Sequence, residues 1–123
     1  MEWITGKRGL SEDVSSLLSK AEAGEVSLFM SAINAGEVYY FLRTHHEASL
    51  AESWRESSGT LPVAIEVPSR EDIWKAAALK SRYPISYADA FAAALAQKHA
   101  CQLVTGDPEF RAVKGLDLYW FDK

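Results

Sequence analysis

Four short apolar runs punctuate this chain: Val26 to Met30, Val63 to Val67, Leu103 to Thr105 and Leu118 to Phe121. Between them lie longer segments whose apolar residues recur at helical spacing. Runs so short suit buried strands, and the helical segments between them supply the crossovers that parallel strands require. The alternation points to an α/β layer fold with a mainly parallel sheet. No internal repeat, low-complexity tract or linker interrupts it.

The helical segments carry their own boundary signals. Ser11 before Glu12 and Asp13 reads as a hydroxyl cap followed by acids at the positive end of the helix dipole. Val14, Leu17, Leu18 and Ala21 follow at helical spacing, and Gly24 supplies the stop. Ser31 caps a second helix with Ala35, Val38, Tyr39 and Leu42 on one face. A third is expected from Ala48 to Ser57, ending near Ser58-Gly59. Ser69 and Asp72 have the spacing of a capping box in its aspartate form. That helix carries Ile73, Ala76, Ala77 and Lys80 as far as Arg82, and Pro84 prevents its continuation. Ser86 opens an alanine-rich helix from Tyr87 to about His99. Gly106-Asp107-Pro108 turns out of the third apolar run into a short helical piece at Glu109 to Ala112.

At 123 residues, the chain has the length of one domain with a single core. No apolar run approaches the roughly 18 residues needed to span a bilayer. The N-terminus has no apolar stretch long enough for a signal peptide. The lone Cys101 cannot form an internal disulfide, which suits a reducing cytoplasmic setting and a role as a small buried filler. A net charge of −4 argues against a protein that grips nucleic acid through bulk positive charge. It leaves open an enzyme that meets nucleic acid through metal ions, since a bound divalent cation reverses the local sign.

Three carboxylates occupy related settings. Glu37 lies in the first turns of a helix that follows a strand, Asp89 in the first turn of the alanine-rich helix, and Asp107 directly after the strand ending at Thr105. In an open parallel sheet, strand C-termini and the following helix N-termini share one edge, where ligands bind. Carboxylates gathered there repel one another, and a hard cation with oxygen ligands relieves the repulsion. Each acid also has an ordinary structural reading. Ser86-x-x-Asp89 is the spacing of a capping box, and Asp107 before Pro108 is a good N-cap with proline at the first helical position. Glu37 stands among residues that look buried, and a buried acid needs a partner; an exposed, solvated Glu37 is the alternative.

Several segments taken together resemble the PIN-domain family, specifically the VapC-type toxins of bacterial and archaeal toxin–antitoxin pairs. Ser31-Ala32-Ile33-Asn34-Ala35-Gly36-Glu37-Val38-Tyr39-Tyr40 is similar to the family's second acidic motif. Tyr83-Pro84-Ile85-Ser86-Tyr87-Ala88-Asp89-Ala90-Phe91 resembles the third. Leu103-Val104-Thr105-Gly106-Asp107-Pro108-Glu109-Phe110 resembles the fourth. Order and spacing agree from about Leu10 to the C-terminus. The resemblance implies a PIN-like α/β/α sandwich spanning residues 1–123 as a single domain. It also implies an Mg²⁺- or Mn²⁺-dependent endoribonuclease with Glu37, Asp89 and Asp107 as catalytic metal ligands. Ser31 and Thr105 would be outer hydroxyls orienting a carboxylate or a metal-bound water, and Arg82 a phosphate contact, against its plainer reading as a solvated charge. Partners implied are a VapB-like antitoxin with a basic or amphipathic C-terminal segment, an RNA substrate and a second copy in a homodimer, with no membrane.

One element of the family pattern is missing from the sequence. The family begins with an apolar strand, central in its sheet, that ends in the first metal-binding aspartate. Met1-Glu2-Trp3-Ile4-Thr5-Gly6-Lys7 resembles instead the end of the helix after that strand. A chain lacking the strand is expected to bind metal weakly and to have little nuclease activity. A misassigned start, a truncated chain or a degenerate toxin would each account for the gap. The rival readings are a non-catalytic protein-binding module of the same fold, a DNA nuclease and a phosphoacceptor receiver domain. The last lacks its paired acids, acceptor aspartate and lysine. His45-His46 cannot chelate one ion in the i, i+4 manner, and Trp54, Trp74, Trp120 and Tyr39-Tyr40 read first as core or interface aromatics, with base stacking as the alternative.

Overall fold

The computed structural model describes residues 12–120, and side chains from Ser15 onward. Helix α1 (Glu12–Glu22) leads to strand β1 (Phe29–Ser31), then to α2 (Ala32–His45) and α3 (Ala48–Ser57). A 3₁₀ turn (Ser58–Thr60) precedes β2 (Ala64–Glu66). Helices α4 (Arg70–Arg82) and α5 (Tyr87–Lys98) follow, then β3 (Leu103–Thr105), a 3₁₀ turn (Pro108–Ala112) and β4 (Leu118–Trp120). The expected cap Ser11, the segment Met1–Lys7 and the strand end at Phe121 lie outside the described residues.

The boundaries follow from the signals in the sequence. Gly24 ends α1 at φ +79, where its lack of a Cβ removes the cost of the left-handed conformation. Its N–H donates to the Ala21 carbonyl at 3.0 Å and that of Glu25 to Lys20 at 2.8 Å, which together form a Schellman closure. Ser31 caps α2 by accepting the Ile33 N–H at 3.2 Å. Ser69 and Asp72 form a complete capping box at α4. The apolar run at Val63–Val67 divides. Val63 is buried, whereas Val67 follows the last β2 residue and stands 82% exposed.

Both strand pairs are parallel. Phe29, Met30 and Ser31 face Ala64, Ile65 and Glu66, and Leu103, Val104 and Thr105 face Leu118, Tyr119 and Trp120. They form two separate two-stranded sheets. The α/β architecture with parallel strands is therefore present, in two halves. Among the described residues no strand joins β1 to β3. A cavity of about 260 Å³ has Met30 and Ser31 on one side, Leu103, Val104 and Thr105 on another, and Ala92, Leu95 and Ala96 of α5 also in its wall.

The larger core cluster joins α4 to α5. Ala76 and Leu79 of α4 meet Ala90, Ala93 and Ala94 of α5, with Phe91, Ile85, Phe110 and Val113 in the same cluster. Alanines bring the two helices close, and Phe91 and Phe110 fill the space toward the 3₁₀ turn that carries Glu109. Truncating a buried phenylalanine of this kind costs about 3–5 kcal/mol. A smaller cluster of Val38, Leu42 and Ala51 joins α2 to α3, with Tyr39 and Trp54 packed against it. The indole N–H of Trp54 donates to the Ala35 carbonyl at 3.0 Å, giving that aromatic a structural role.

Candidate metal centre

One strand end and two helical starts assemble the acids. Asp89 sits in the first turn of α5, where Ser86 Oγ accepts its N–H at 3.1 Å. The reciprocal bond, from the Ser86 N–H to the Asp89 carboxylate, is absent among the described residues, so this is half of a capping box. Asp107 follows β3, with its N–H donating to Thr105 Oγ1 at 2.9 Å. Its Oδ1 accepts the Glu109 N–H at 3.0 Å, and Pro108 starts the turn, so the cap reading of Asp107 holds for one oxygen. The other oxygen, Oδ2, takes no hydrogen bond among the described residues.

Asp89, Asp107 and Glu109 can each present a carboxylate oxygen such that all three lie within 4.8 Å of one another. Asp89 and Asp107 are half-buried and Glu109 is exposed. Among the described residues no lysine, arginine or histidine forms a salt bridge with any of them. Burial holds the Asp89 carboxyl above the usual carboxylate range. The Ser86 hydrogen bond opposes that shift, and the charges of Asp107 and Glu109 add to it.

Glu37 lies on α2, half-buried and outside this group. Its carboxyl is raised first by burial and then by the charge of Asp89, so it shares the electrostatic neighbourhood without entering the cluster. Ser31 and Thr105 are buried, and each hydroxyl accepts a backbone N–H beside the site. Arg82 is exposed in the last turn of α4 and forms no salt bridge among the described residues.

Two residues escaped the sequence reading. Glu109 carries a detectable signal, an acid two positions beyond Asp107 at the start of a helical turn. Asn34 carries none, because an asparagine inside a helix has no pattern of its own. It is 3% exposed, and its Nδ2 donates to the Ala88 carbonyl at 2.9 Å, tying α2 to the first turn of α5. Its Oδ1 is buried without a hydrogen-bond partner among the described residues, and Asn34 lines the cavity together with Asp89, Ser31 and Thr105. An orphaned buried acceptor costs about 1–3 kcal/mol, so it favours a ligand that brings a donor. Clustered carboxylates and an orphaned amide oxygen are the hard oxygen donors that Mg²⁺ and Mn²⁺ select. The donor set fits a divalent cation.

The remaining motif residues take surface or packing roles. Trp74 and Tyr40 are 62% and 65% exposed. Trp120 lies under the Arg111 guanidinium, 4.0 Å from its ring centroid. His45 and His46 close α2 as exposed side chains near Phe41. Cys101 is half-buried in the cavity wall. Among the described residues no helix is long and apolar enough to cross a membrane.

Parallel strands, acids gathered at their C-terminal edge and a helix start under each define a known class of α/β domain. The sequence matches the PIN domain model over residues 2–116, and the chain belongs to that family. Its fold is similar to a chain of the VapBC2 complex of Rickettsia felis bound to a DNA fragment from the promoter of its genes. That likeness has a TM-score of 0.75 at 17% identity and covers 98% of this chain and 92% of that one. A chain of a toxin–antitoxin complex from Klebsiella pneumoniae is similar with a TM-score of 0.63 at 22% identity, again covering 98% and 92%. No curated protein matches the sequence.

Proposed function

We propose that this chain is the toxin of a type II toxin–antitoxin pair and a metal-dependent endoribonuclease that hydrolyses RNA phosphodiesters. The observation that carries this reading is the convergence of Asp89, Asp107 and Glu109, one carboxylate oxygen from each within 4.8 Å of the others, with no salt bridge to any of them among the described residues. Membership of the PIN family and the fold likeness to chains of two toxin–antitoxin complexes support it.

Asp89 and Asp107 would hold Mg²⁺ or Mn²⁺, with Glu37 and Glu109 completing the acidic surround. Such an ion supplies two things to phosphodiester hydrolysis: it polarises the phosphate, and it makes water a competent nucleophile near neutral pH. The chain's own residues set the stage for that chemistry. Ser86 and Thr105 fix the backbone of Asp89 and Asp107 through their N–H groups, which limits how far each carboxylate can drift. Asn34 locks the first turn of α5 against α2, so Asp89 keeps its distance from Glu37. Burial on the cavity side lowers the local dielectric and strengthens every charge interaction there. Arg82 is offered as a contact for a substrate phosphate.

The exposed aromatics Tyr40 and Trp74 and the exposed Ile33 and Ile73 give apolar surface for a second copy and for an antitoxin. A basic antitoxin segment would complement the acidic edge. The setting proposed is the cytoplasm. The test is RNA cleavage by the purified chain with Mn²⁺, with chelator and with Asp89→Asn. Cleavage that needs the metal and is lost in the variant supports the reading. Binding of an antitoxin without any metal-dependent cleavage supports a protein-binding module instead.

A further inference from the structure

Every residue of β1 and of β3 lines the cavity between the two sheets, as do the residues just before each strand, Val26 to Leu28 and Cys101 to Gln102. Successive strand residues point to opposite faces, so a cavity on one face would meet only alternate residues. Lining by all of them places it along the strand edges. No residue of β2 lines it and β4 adds only Tyr119, so these edges are turned away from the existing partners. Each carries backbone N–H and C=O groups that no ladder uses among the described residues.

We infer that this cavity is a slot for one extended, apolar polypeptide segment, supplied by a partner, that enters parallel to β1 and β3 and joins the two sheets. The strands fix its direction. Ser31 ends β1 one turn before Asn34, and Asn34 bonds Ala88, the neighbour of Asp89. Thr105 ends β3 two residues before Asp107, whose carboxylate approaches that of Asp89. The C-terminal ends of β1 and β3 therefore share one end of the slot.

The walls set the segment's composition. Leu17 of α1, Ala92 and Leu95 of α5 and Phe110 add apolar surface, and a parallel strand covered in this way is a near-continuous run of valine, isoleucine and leucine. The end by Ser31 and Thr105 is polar. There Asn34 Oδ1 is buried without a donor among the described residues, so the last residue of the segment brings an N–H or hydroxyl. A void of about 260 Å³ far exceeds the water-sized gaps of a packed interior. A small apolar molecule would fill it but leave both edges unpaired, whereas a strand pairs them. Asp107 and Glu109 do not line the slot, so its occupancy requires no metal.

The experiment is a fluorescence-anisotropy titration of a labelled peptide with the full chain, in chelator. The probe carries two lysines for solubility, then four alternating valine and isoleucine residues and an amidated serine. Its control is the same peptide N-methylated at two central amides, equal in charge and apolar surface but without those ladder donors. The expected result is saturable binding that raises the melting temperature, and affinity lower by about tenfold or more for the N-methylated peptide. Ala92→Leu, which fills the slot, is expected to melt at or above the wild-type temperature and to bind the probe about tenfold or more weakly. Equal affinity for the two peptides overturns the inference in favour of a pocket for small apolar molecules. No saturable binding, or wild-type binding by a folded Ala92→Leu, overturns it as well.

Discussion

Two helices of this protein open with the same four-residue pattern, Ser69-x-x-Asp72 at α4 and Ser86-x-x-Asp89 at α5, and the aspartates end in opposite circumstances. At α4 the serine hydroxyl accepts the Asp72 N–H at 3.1 Å, and the Asp72 carboxylate accepts the Ser69 N–H at 2.9 Å. Lys98 then adds its ammonium at 3.2 Å. The cap hydrogen bond and that cation hold the Asp72 carboxyl below the usual range. At α5 only the first half of the box forms. The Asp89 carboxylate accepts no bond from the Ser86 N–H and lies close to Asp107 and Glu109, and burial and those charges hold it high against the opposing pull of the Ser86 hydroxyl. A carboxylate that closes its box and finds a cation is a helix cap. One that leaves its box open among other acids sits where a positive ion would relieve the repulsion.

Three predictions sharpen that contrast. The largest effect is on metal affinity. Asp89→Asn is expected to weaken Mn²⁺ binding by about 100-fold or more, the upper limit of what loss of an outer-shell partner costs. Asp72→Asn should leave it unchanged in the same titration. Equal losses in the two variants would erase the distinction between the helices.

Next come the caps. Ser69→Ala and Ser86→Ala should each destabilise the fold by about 1 kcal/mol in chemical denaturation, because both remove an N-cap acceptor. Only Ser86→Ala should also weaken Mn²⁺ binding, by about tenfold, since it loosens the backbone of a ligand.

The smallest effect is electrostatic, and its sign differs between the two sites. In chelator near pH 7, Asp89→Asn should raise stability by about 0.5–1 kcal/mol, the lower part of the gain from removing an unfavourable charge. Asp89 is only half-buried, so water screens part of the repulsion. Because its folded pKa is raised, the penalty is absent at low pH and appears as pH rises through that pKa. The gain from the substitution should therefore vanish on acidification. Asp72 behaves in reverse. Its folded pKa is lowered, so its stabilisation is present above the ordinary carboxylate range and is lost as pH falls through the folded value. Thermal melts of the two asparagine variants across the acid range check both signs.

Much of the fold was legible because each element carries a local signal. The hydroxyl caps Ser31, Ser69 and Ser86, the stop at Gly24 and the apolar run Leu103–Thr105 all mark boundaries found in the structure. Strand lengths were overread at Val26–Met30 and Val63–Val67, where apolar character continues beyond the residues that pair. The division into two sheets was not written in any window, since pairing between strands is a long-range choice. In the candidate site, Asp89 and Asp107 come together as their positions at helix starts suggested. Spacing could not distinguish a closed capping box from an open one, because the difference lies in where a single carboxylate turns. Asn34 became visible only through burial, and Glu109, though an acid two positions beyond Asp107, only through its distance to the other two.

The central claim is that Asp89 belongs to a cation site and Asp72 to a helix cap. Thermal unfolding with and without Mn²⁺ tests it most directly, because an ion that binds only the folded state raises the melting temperature. The account predicts that Mn²⁺ stabilises wild type and Asp72→Asn alike, that chelator reverses the shift, and that Asp89→Asn shows no shift. A Mn²⁺ shift that survives in Asp89→Asn, or that disappears in Asp72→Asn, would contradict it.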